Sequence, residues 1–561
     1  MITTHQDIVI EPLEGRGYLD DVFLVRHLAE LRLDPLFSKA PIPEGMRLLL
    51  FNEVDAGLGD VAFATKLMRL LRRAIPHLEI VLVSSGPEKQ ARFGLPEGVS
   101  LYEFHSYKEQ ASSRHRHIDL VVSAPGIFDH CRSQSAVLAV LGLPEDTPFI
   151  FMAEYGSMRQ LRDDAFKAHT ARIETLVDTH LDQLAARDGH DPDTLGYRST
   201  SGEVVSVVGG EVTSLGHLRE ALAANRPDNP LWDWLTQPSL SARSAGFDVG
   251  EMGIFIEDEL QPPNDVGTVD KQLLLTDLQD EVLSTLLVPG EAEGNSNSKA
   301  RALYSGYAHS SQSFFIDYVA AIECSRHRPI DIVIPNARTA SDAYQAIFSD
   351  ALLERLKDAG IGCVTVVGNS ASDVQDLERF SHELGVGKEL RCVTRYPLPH
   401  ADMRTLLRAS ESATMVSGDQ SFSESVSARK EFVVIEPVYC QTFHLDAQLA
   451  LAQRVNPELR LVLEFAMKFK WDQDDWIKVN DALSSGRLAG YFSSFNDIVH
   501  TEHRLNERIV SVVKRALLSA HRPSVRAALR DIFSDGFEAF ASGRGFIARQ
   551  AQIESLAALL A

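Results

Sequence analysis

The chain of 561 residues is about three to four times the length of an ordinary domain, so two or more packed units are expected. With 44% apolar and 24% charged residues it can build sizeable cores and is neither fibrous nor disordered. Lys and Arg number 55 against 78 Asp and Glu, a formal charge of -23, and that field disfavours nucleic acid and anionic membrane surfaces unless a local basic patch overrides it.

The five cysteines, Cys131, Cys324, Cys363, Cys392 and Cys440, are odd in number and widely spaced. They form no CxxC pair and no close Cys/His spacing, which reads as buried thiols in a reducing compartment. No run approaches the roughly 20 apolar residues of a spanning helix. The opening MITTHQDIVIEPLEGRG has neither a basic nor an apolar targeting region. The expectation is a cytoplasmic protein with no membrane span.

After a polar lead-in, Met46 to Glu53 (MRLLLFNE) is an apolar run that switches at Gly57-Leu58-Gly59-Asp60 to helical spacing (Phe63, Leu67, Leu70, Leu71), ending before Pro76. Leu78 to Ser84, Val99 to Phe104, Ile118 to Ser123 and Pro148 to Ala153 follow as further apolar strands bounded by turns, the pattern of strands buried on both faces of a parallel sheet. Between about 157 and 246 the chain becomes polar and helical and reads as an insertion. Met252 to Ile256 resumes a strand, and Val288 to Ser298 has linker composition, which places the domain boundary there.

A second strand-helix series follows, with strands expected at Ala302 to Tyr307, Ile330 to Pro335, Cys363 to Gly368, Leu390 to Tyr396, Ala413 to Ser417 and Phe432 to Glu436. From Asp472 onward the pattern is mostly helical. The fold class is therefore α/β, with two facing Rossmann-like, doubly wound parallel-sheet domains, a helical insertion and a helical C-terminal tail. The expected partition is 1–290, 300–500 and 501–561. Ligands of such sheets bind beyond the carboxyl ends of the strands.

Two loops there carry chemistry. Asn52 to Asp60 joins the first strand to the first helix, and its glycines allow close backbone approach. Asp55, on that Gly-rich loop, could take a proton from an acceptor nucleophile, whereas Asp60 would serve equally as the helix N-cap. The pattern is not GxGxxG, which sets a dinucleotide cofactor aside. The second loop, Ser417-Gly418-Asp419-Gln420-Ser421-Phe422-Ser423-Glu424, also lies at a strand end and opens a helix. It would cradle a diphosphate, with Glu424 reaching ribose hydroxyls; the alternative is a capping box between a serine and the acid three residues later. Tyr396-Pro397-Leu398-Pro399-His400 ends another strand, where an aromatic ring could stack on a base or simply pack. Tyr304 to Ser311 ends the first strand of that sheet, with Tyr307 a donor-side candidate and His309 a surface cap. The acids in Trp471 to Trp476 read as a solvated helix start rather than a metal site.

The arrangement resembles a GT-B glycosyltransferase. FNEVDAGLGDVAFATKLMRLLRRAIP is similar to the first strand, loop and helix of heptosyltransferase-like enzymes. Tyr304 to Ser311, YPLPHADMRTLL, VSGDQSFSESVSARKEFVV and His444-Leu445-Asp446-Ala447 together resemble the protein-arginine rhamnosyltransferase of elongation factor P. The resemblance covers Asn52 to Ile75 and Leu303 to Leu449. It implies that Asp55 and Asp60, at a spacing one residue longer than the family's, bind and activate the acceptor. It also implies that Gly418, Asp419, Gln420, Ser421 and Phe422 hold the donor's diphosphate, with Asp in place of the family's Glu and Gln in place of its Asp. The base-binding strand end falls on Tyr396 to His400, where the family has Phe and Gln. Glu436-Pro437-Val438 replaces its Tyr-Pro-Gln, leaving the donor's base and sugar open. The insertion and tail exceed the family's length, so the acceptor's identity does not carry over.

The function this implies is a metal-independent, inverting transfer of a sugar from a nucleotide-diphosphate donor to an acceptor, with a protein side chain as one admissible class. The implied catalytic residues are Asp55, Asp60 and Asp419. Donor binding falls to Ser417, Gly418, Gln420, Ser421, Phe422, Ser423, Glu424, Tyr396, His400 and Tyr307, with the nucleotide sugar as substrate and no cofactor. A nucleotide-sugar epimerase or hydrolase, or a non-catalytic binding module, stays open on the same architecture.

Overall fold

The computed structural model describes residues 18–54, 59–113, 115–125, 134–153, 241–247, 251–261, 271–288, 301–307, 312–370, 376–436, 442–466, 481–482, 485–541 and 549–561. The first apolar run is strand β1 (Arg47–Asn52), followed by β2 (Glu79–Ser84), β3 (Ser100–Glu103), β4 (Leu120–Ser123), β5 (Phe149–Ala153) and β6 (Ser241–Ser244). They form one parallel sheet in the order β3-β2-β1-β4-β5-β6. Leu48 to Asn52 are all buried because both faces are covered, which is why the run shows no polar alternation. On one face Leu49, Phe51, Val81 and Phe149 share a core with Leu33 and Phe37 of the helix Tyr18–Lys39 and with Leu529 and Leu556 of the C-terminal helices. The helix Gly59–Ala74 packs on β1 and buries Phe63, Leu67, Leu70 and Leu71, the positions its spacing predicts.

The second sheet contains β7 (Ala302–Gly306), β8 (Ile330–Val333), β9 (Ile361–Asn369), β10 (Leu377–Glu383), β11 (Lys388–Val393), β12 (Ala413–Ser417) and β13 (Glu431–Glu436). Its order is β10-β9-β11-β8-β7-β12-β13, and only β10 runs antiparallel to its neighbour. Charge links three strands: Asp331 of β8 accepts from Nε of Arg301, the residue before β7, at 2.7 Å and from Nη2 of Arg391, within β11, at 2.7 Å. Two α/β parallel-sheet units are thus present, as the sequence predicts.

Three expectations change. The chain divides into a unit of residues 1–252 with 505–561 and a unit of 253–504, so the division falls before Gly253 and not at 288–298. The reason is packing: Leu275, Leu278, Leu283 and Leu287, from helices Lys271–Leu275 and Glu281–Leu287 and the turn between them, join Leu303, Val333, Val393 and Leu406 of the second sheet in one core. The tail expected as a separate piece is a cover of the first sheet, through the helices Leu505–His521, Pro523–Ala541 and Gln550–Leu560. Met252 to Ile256 makes no strand; Ile254 forms an isolated bridge with Arg504. Most of the expected insertion lies outside the described residues, but Ser241–Ser244, at its end, is the edge strand β6.

The tail is fastened to the helix Tyr18–Lys39 by polar contacts. Glu30 meets Arg243 Nη2 at 2.6 Å and Arg515 Nη2 at 2.8 Å, and Ser511 Oγ donates to Asp34 Oδ1 at 2.8 Å. Burial raises the Asp34 carboxyl to about 6, against the opposing pull of Arg515. The folded chain therefore keeps a proton that the unfolded chain has released between about pH 4 and 6, and stability falls as pH rises through that window. Asp34→Asn is expected to stabilise the protein at pH 7.5 by on the order of 2 kcal/mol and to have little effect near pH 4. Denaturant titrations at the two pH values check this; an equal effect at both would contradict the burial argument.

Candidate functional site

In an open parallel sheet the crevice for a ligand lies where the strand order reverses. In the first unit that point is between β1 and β4. Asn52, the last residue of β1, is fully buried, and its Nδ2 donates to Ala124 O after β4 at 3.0 Å and to Asp60 O at 3.1 Å. One amide thereby ties two strand ends to the start of the helix Gly59–Ala74. Asp60 is the second residue of that helix, so it lies within the first turn, near the positive end of the dipole, rather than in the N-cap position before the helix. Val54 N donates to Ser85 Oγ at 2.8 Å, which fixes the start of the loop against β2. Asp55 and Gly57 lie outside the described residues. Glu53, the residue after β1, is a buried acid, 1% exposed.

In the second unit the reversal is between β7 and β12. Tyr307 N donates to Met415 O at 2.9 Å, and a Cβ on Gly306 would stand 2.7 Å from the Met415 Cβ, so the close approach of the two strands requires glycine there. Beyond β12, Gly418 adopts φ 81°, ψ 168°, a region open to glycine almost alone, and the helix Asp419–Ser427 begins at the next residue. The Ser421 hydroxyl turns back on the loop, lying 2.7 Å from Ser417 O and 3.0 Å from Gly418 O and accepting from Ser417 N at 3.1 Å. The capping-box alternative fails: Gly418 is the N-cap and gives no side-chain hydrogen bond, while Glu424 Oε1 instead lies 3.0 Å from His400 Nε2. Ser417, Gly418, Gln420 and Ser421 are partly exposed, whereas Phe422 and Ser423 are buried, so those two side chains anchor the helix within the unit. The side chain of Asp419 lies outside the described residues, as does His309.

The segment Tyr396 to His400 follows β11. Its start is held by a polar chain: Asp402 accepts from the backbone N of Gln279 and Asp280 at 2.8 and 2.9 Å. Asp280 Oδ2 accepts from Arg395 Nε at 2.9 Å, and Arg395 Nη1 donates to Asn369 Oδ1 at 3.2 Å. Asn369 Nδ2 donates to Tyr396 O. Tyr396 itself is 41% exposed, and His400 reaches Glu424, so two segments singled out separately in the sequence meet. No local spacing marks Asn369, Arg395, Asp280 and Asp402, because their contacts span up to 123 positions.

A glycine turn at the reversal of a parallel sheet, opening a helix whose N-cap has no side chain, suits an anion such as a diphosphate. Among the described residues no group of three or more His, Cys, Asp and Glu could hold a metal ion; Trp471 to Trp476 lies outside them. No described helix is long and apolar enough to cross a membrane.

No protein-family profile matches the chain, and no curated protein matches it. Among solved structures, a glycosyltransferase from Rickettsia africae ESF-5 aligns at 10% identity over 85% of this chain and 99% of its own, with a TM-score of 0.37. The calicheamicin glycosyltransferase CalG4 aligns at 12% identity over 86% and 100%, with a TM-score of 0.36. MurG of Acinetobacter baumannii aligns at 9% identity over 83% and 99%, with a TM-score of 0.34. Likeness at this level does not bear on activity.

Gly418→Ala should lower stability by about 1–3 kcal/mol, since the turn demands a conformation that side chains rarely adopt. Chemical denaturation checks it, and a variant as stable as the parent would show that the turn relaxes at no cost.

Proposed function

We propose that the protein is a glycosyltransferase that uses a nucleoside-diphosphate sugar. The observation that carries the reading is the Ser417–Gly418 turn at the β7/β12 reversal, continuing directly into a helix start with no side-chain cap. The diphosphate would lie against the first turn of that helix, where backbone N-H groups and the dipole favour negative charge as the leaving group departs. Tyr396, with its ring exposed at the end of the same sheet, would stack on the base, and Glu424 with His400 would border the ribose. Tyr307, whose backbone N donates to Met415 O on the neighbouring strand, would line the donor's sugar end.

The acceptor would be bound by the loop after β1, with Asp55 as general base and Asp60 orienting the nucleophile. Asp419 would assist departure of the diphosphate. In this reading the helix start supplies the electrostatic stabilisation a metal supplies elsewhere, transfer inverts the anomeric centre, and a protein side chain is an acceptor worth testing first.

Nucleoside diphosphates are expected to raise the melting temperature of the protein, and Asp55→Ala to slow transfer about 10²-fold or more without changing that thermal shift. Transfer at the parental rate by a folded Asp55→Ala variant would remove the base. Conversion of the nucleotide sugar without any acceptor would instead favour an epimerase or hydrolase.

A further inference from the structure

Strand β10 is an edge. It pairs with β9 alone among the described strands, and Arg379, Ser381 and Glu383 along it are exposed. Its register leaves half of its backbone groups pointing outward. Ser370 N donates to Asp376 O and Leu384 N to Gly362 O, so, counting along the antiparallel register, the even-numbered residues of β10 bond to β9. The N-H and C=O groups of Leu377, Arg379, Ser381 and Glu383 therefore face away from the sheet. Natural sheets guard such an edge with charged side chains, lysine above all, or with proline and bulges, and β10 has no lysine or proline. It carries instead an arginine and a glutamate of opposite sign, each two residues from Ser381.

We propose that β10 is a self-association edge, where a second copy of this chain adds its own β10 antiparallel with Ser381 on the two-fold axis. That register makes hydrogen-bonded pairs of Ser381 with Ser381 and of Arg379 with Glu383, using only the outward backbone groups. Each Arg379 then faces the partner subunit's Glu383 directly across the ladder, twice by symmetry. Within its own chain Arg379 forms no ion pair or side-chain hydrogen bond among the described residues. On the other face Phe380 would stand opposite the partner subunit's His382, extending the aromatic group in which Tyr344 lies 4.4 Å from Phe380 and 5.7 Å from His382. No like charges oppose each other in this register, and a strand from an unrelated protein would match these charges only by coincidence.

Sedimentation of the full chain at high micromolar concentration tests this. The parent is expected at twice its 62.0 kDa mass. Ser381→Pro removes an outward N-H and spares the β9 ladder, so it should give a folded monomer. Arg379→Glu and Glu383→Arg should each raise the dimer dissociation constant by about tenfold or more, through two like-charge pairs, and the double variant should restore it. A parent that sediments as a monomer, or a dimer indifferent to Ser381→Pro and Arg379→Glu in variants that melt normally, would overturn the proposal. The outcome is independent of nucleotide binding.

Discussion

The reversal of strand order is the constraint on which both candidate loops depend. A parallel sheet wound in one direction and then the other leaves neighbouring strands whose connections depart to opposite sides, and nothing in the sheet itself fills the gap above them. Here the gap lies above β1 and β4 in one unit and above β7 and β12 in the other. The two units close it differently. In the first, the buried Asn52 amide spans it, bonding to Ala124 O and Asp60 O. In the second, Gly306 lets the strands come close, and Gly418 turns the chain away at once into a helix. A side chain stitches the first gap, and the lack of side chains shapes the second. The second therefore meets its helix start with a glycine, not with a side-chain bridge.

The legible parts of the sequence are those in which burial leaves a local trace. Runs such as RLLLFN and ATMVS are apolar throughout because helices cover both faces, and their ends follow from the glycines and polar turns that succeed them. The glycine loop at Ser417–Gly418 is legible for the same reason, since a turn needing positive φ almost dictates its residue. By contrast β10, LERFSHE, is exposed along most of its length and lacks an apolar signature, so it reads as loop. Linker composition at 288–298 suggests a boundary, but it says nothing about which core the leucines just before it enter. The return of the tail to the first sheet depends on contacts hundreds of positions apart, such as Ser511 with Asp34.

The same distinction divides the candidate site. Glu424 reads locally as a capping acid, yet its carboxylate is engaged by His400, 24 positions away, and the local rule loses to a tertiary partner. Arg395 is still less legible: an isolated arginine after a strand, it is 6% exposed and carries one link of a chain from Asp402 to Tyr396. Removing its charge would strand Asp280 and Asn369 without a shared donor, and Asn369 is the residue that holds the Tyr396 carbonyl.

The helix Asp419–Ser427 shows how a sequence poor in helix formers can still hold a rigid loop. Four serines in DQSFSESVS compete for backbone hydrogen bonds and by propensity alone would favour a turn. The structure turns that competition inward. Ser425 Oγ donates to Ser421 O at 2.8 Å and Ser427 Oγ to Ser423 O at 2.7 Å, each bonding one turn back along its own helix. Ser427 Oγ also accepts from Glu257 N at 2.9 Å, which uses its lone pair as well as its proton and ties the helix end to a separate segment of the unit. Phe422 and Val426, both buried, add the apolar contact. With the serines bonded at one end and Gly418 fixing the entry at the other, the helix can present its first turn in one orientation, which a site for a charged ligand requires.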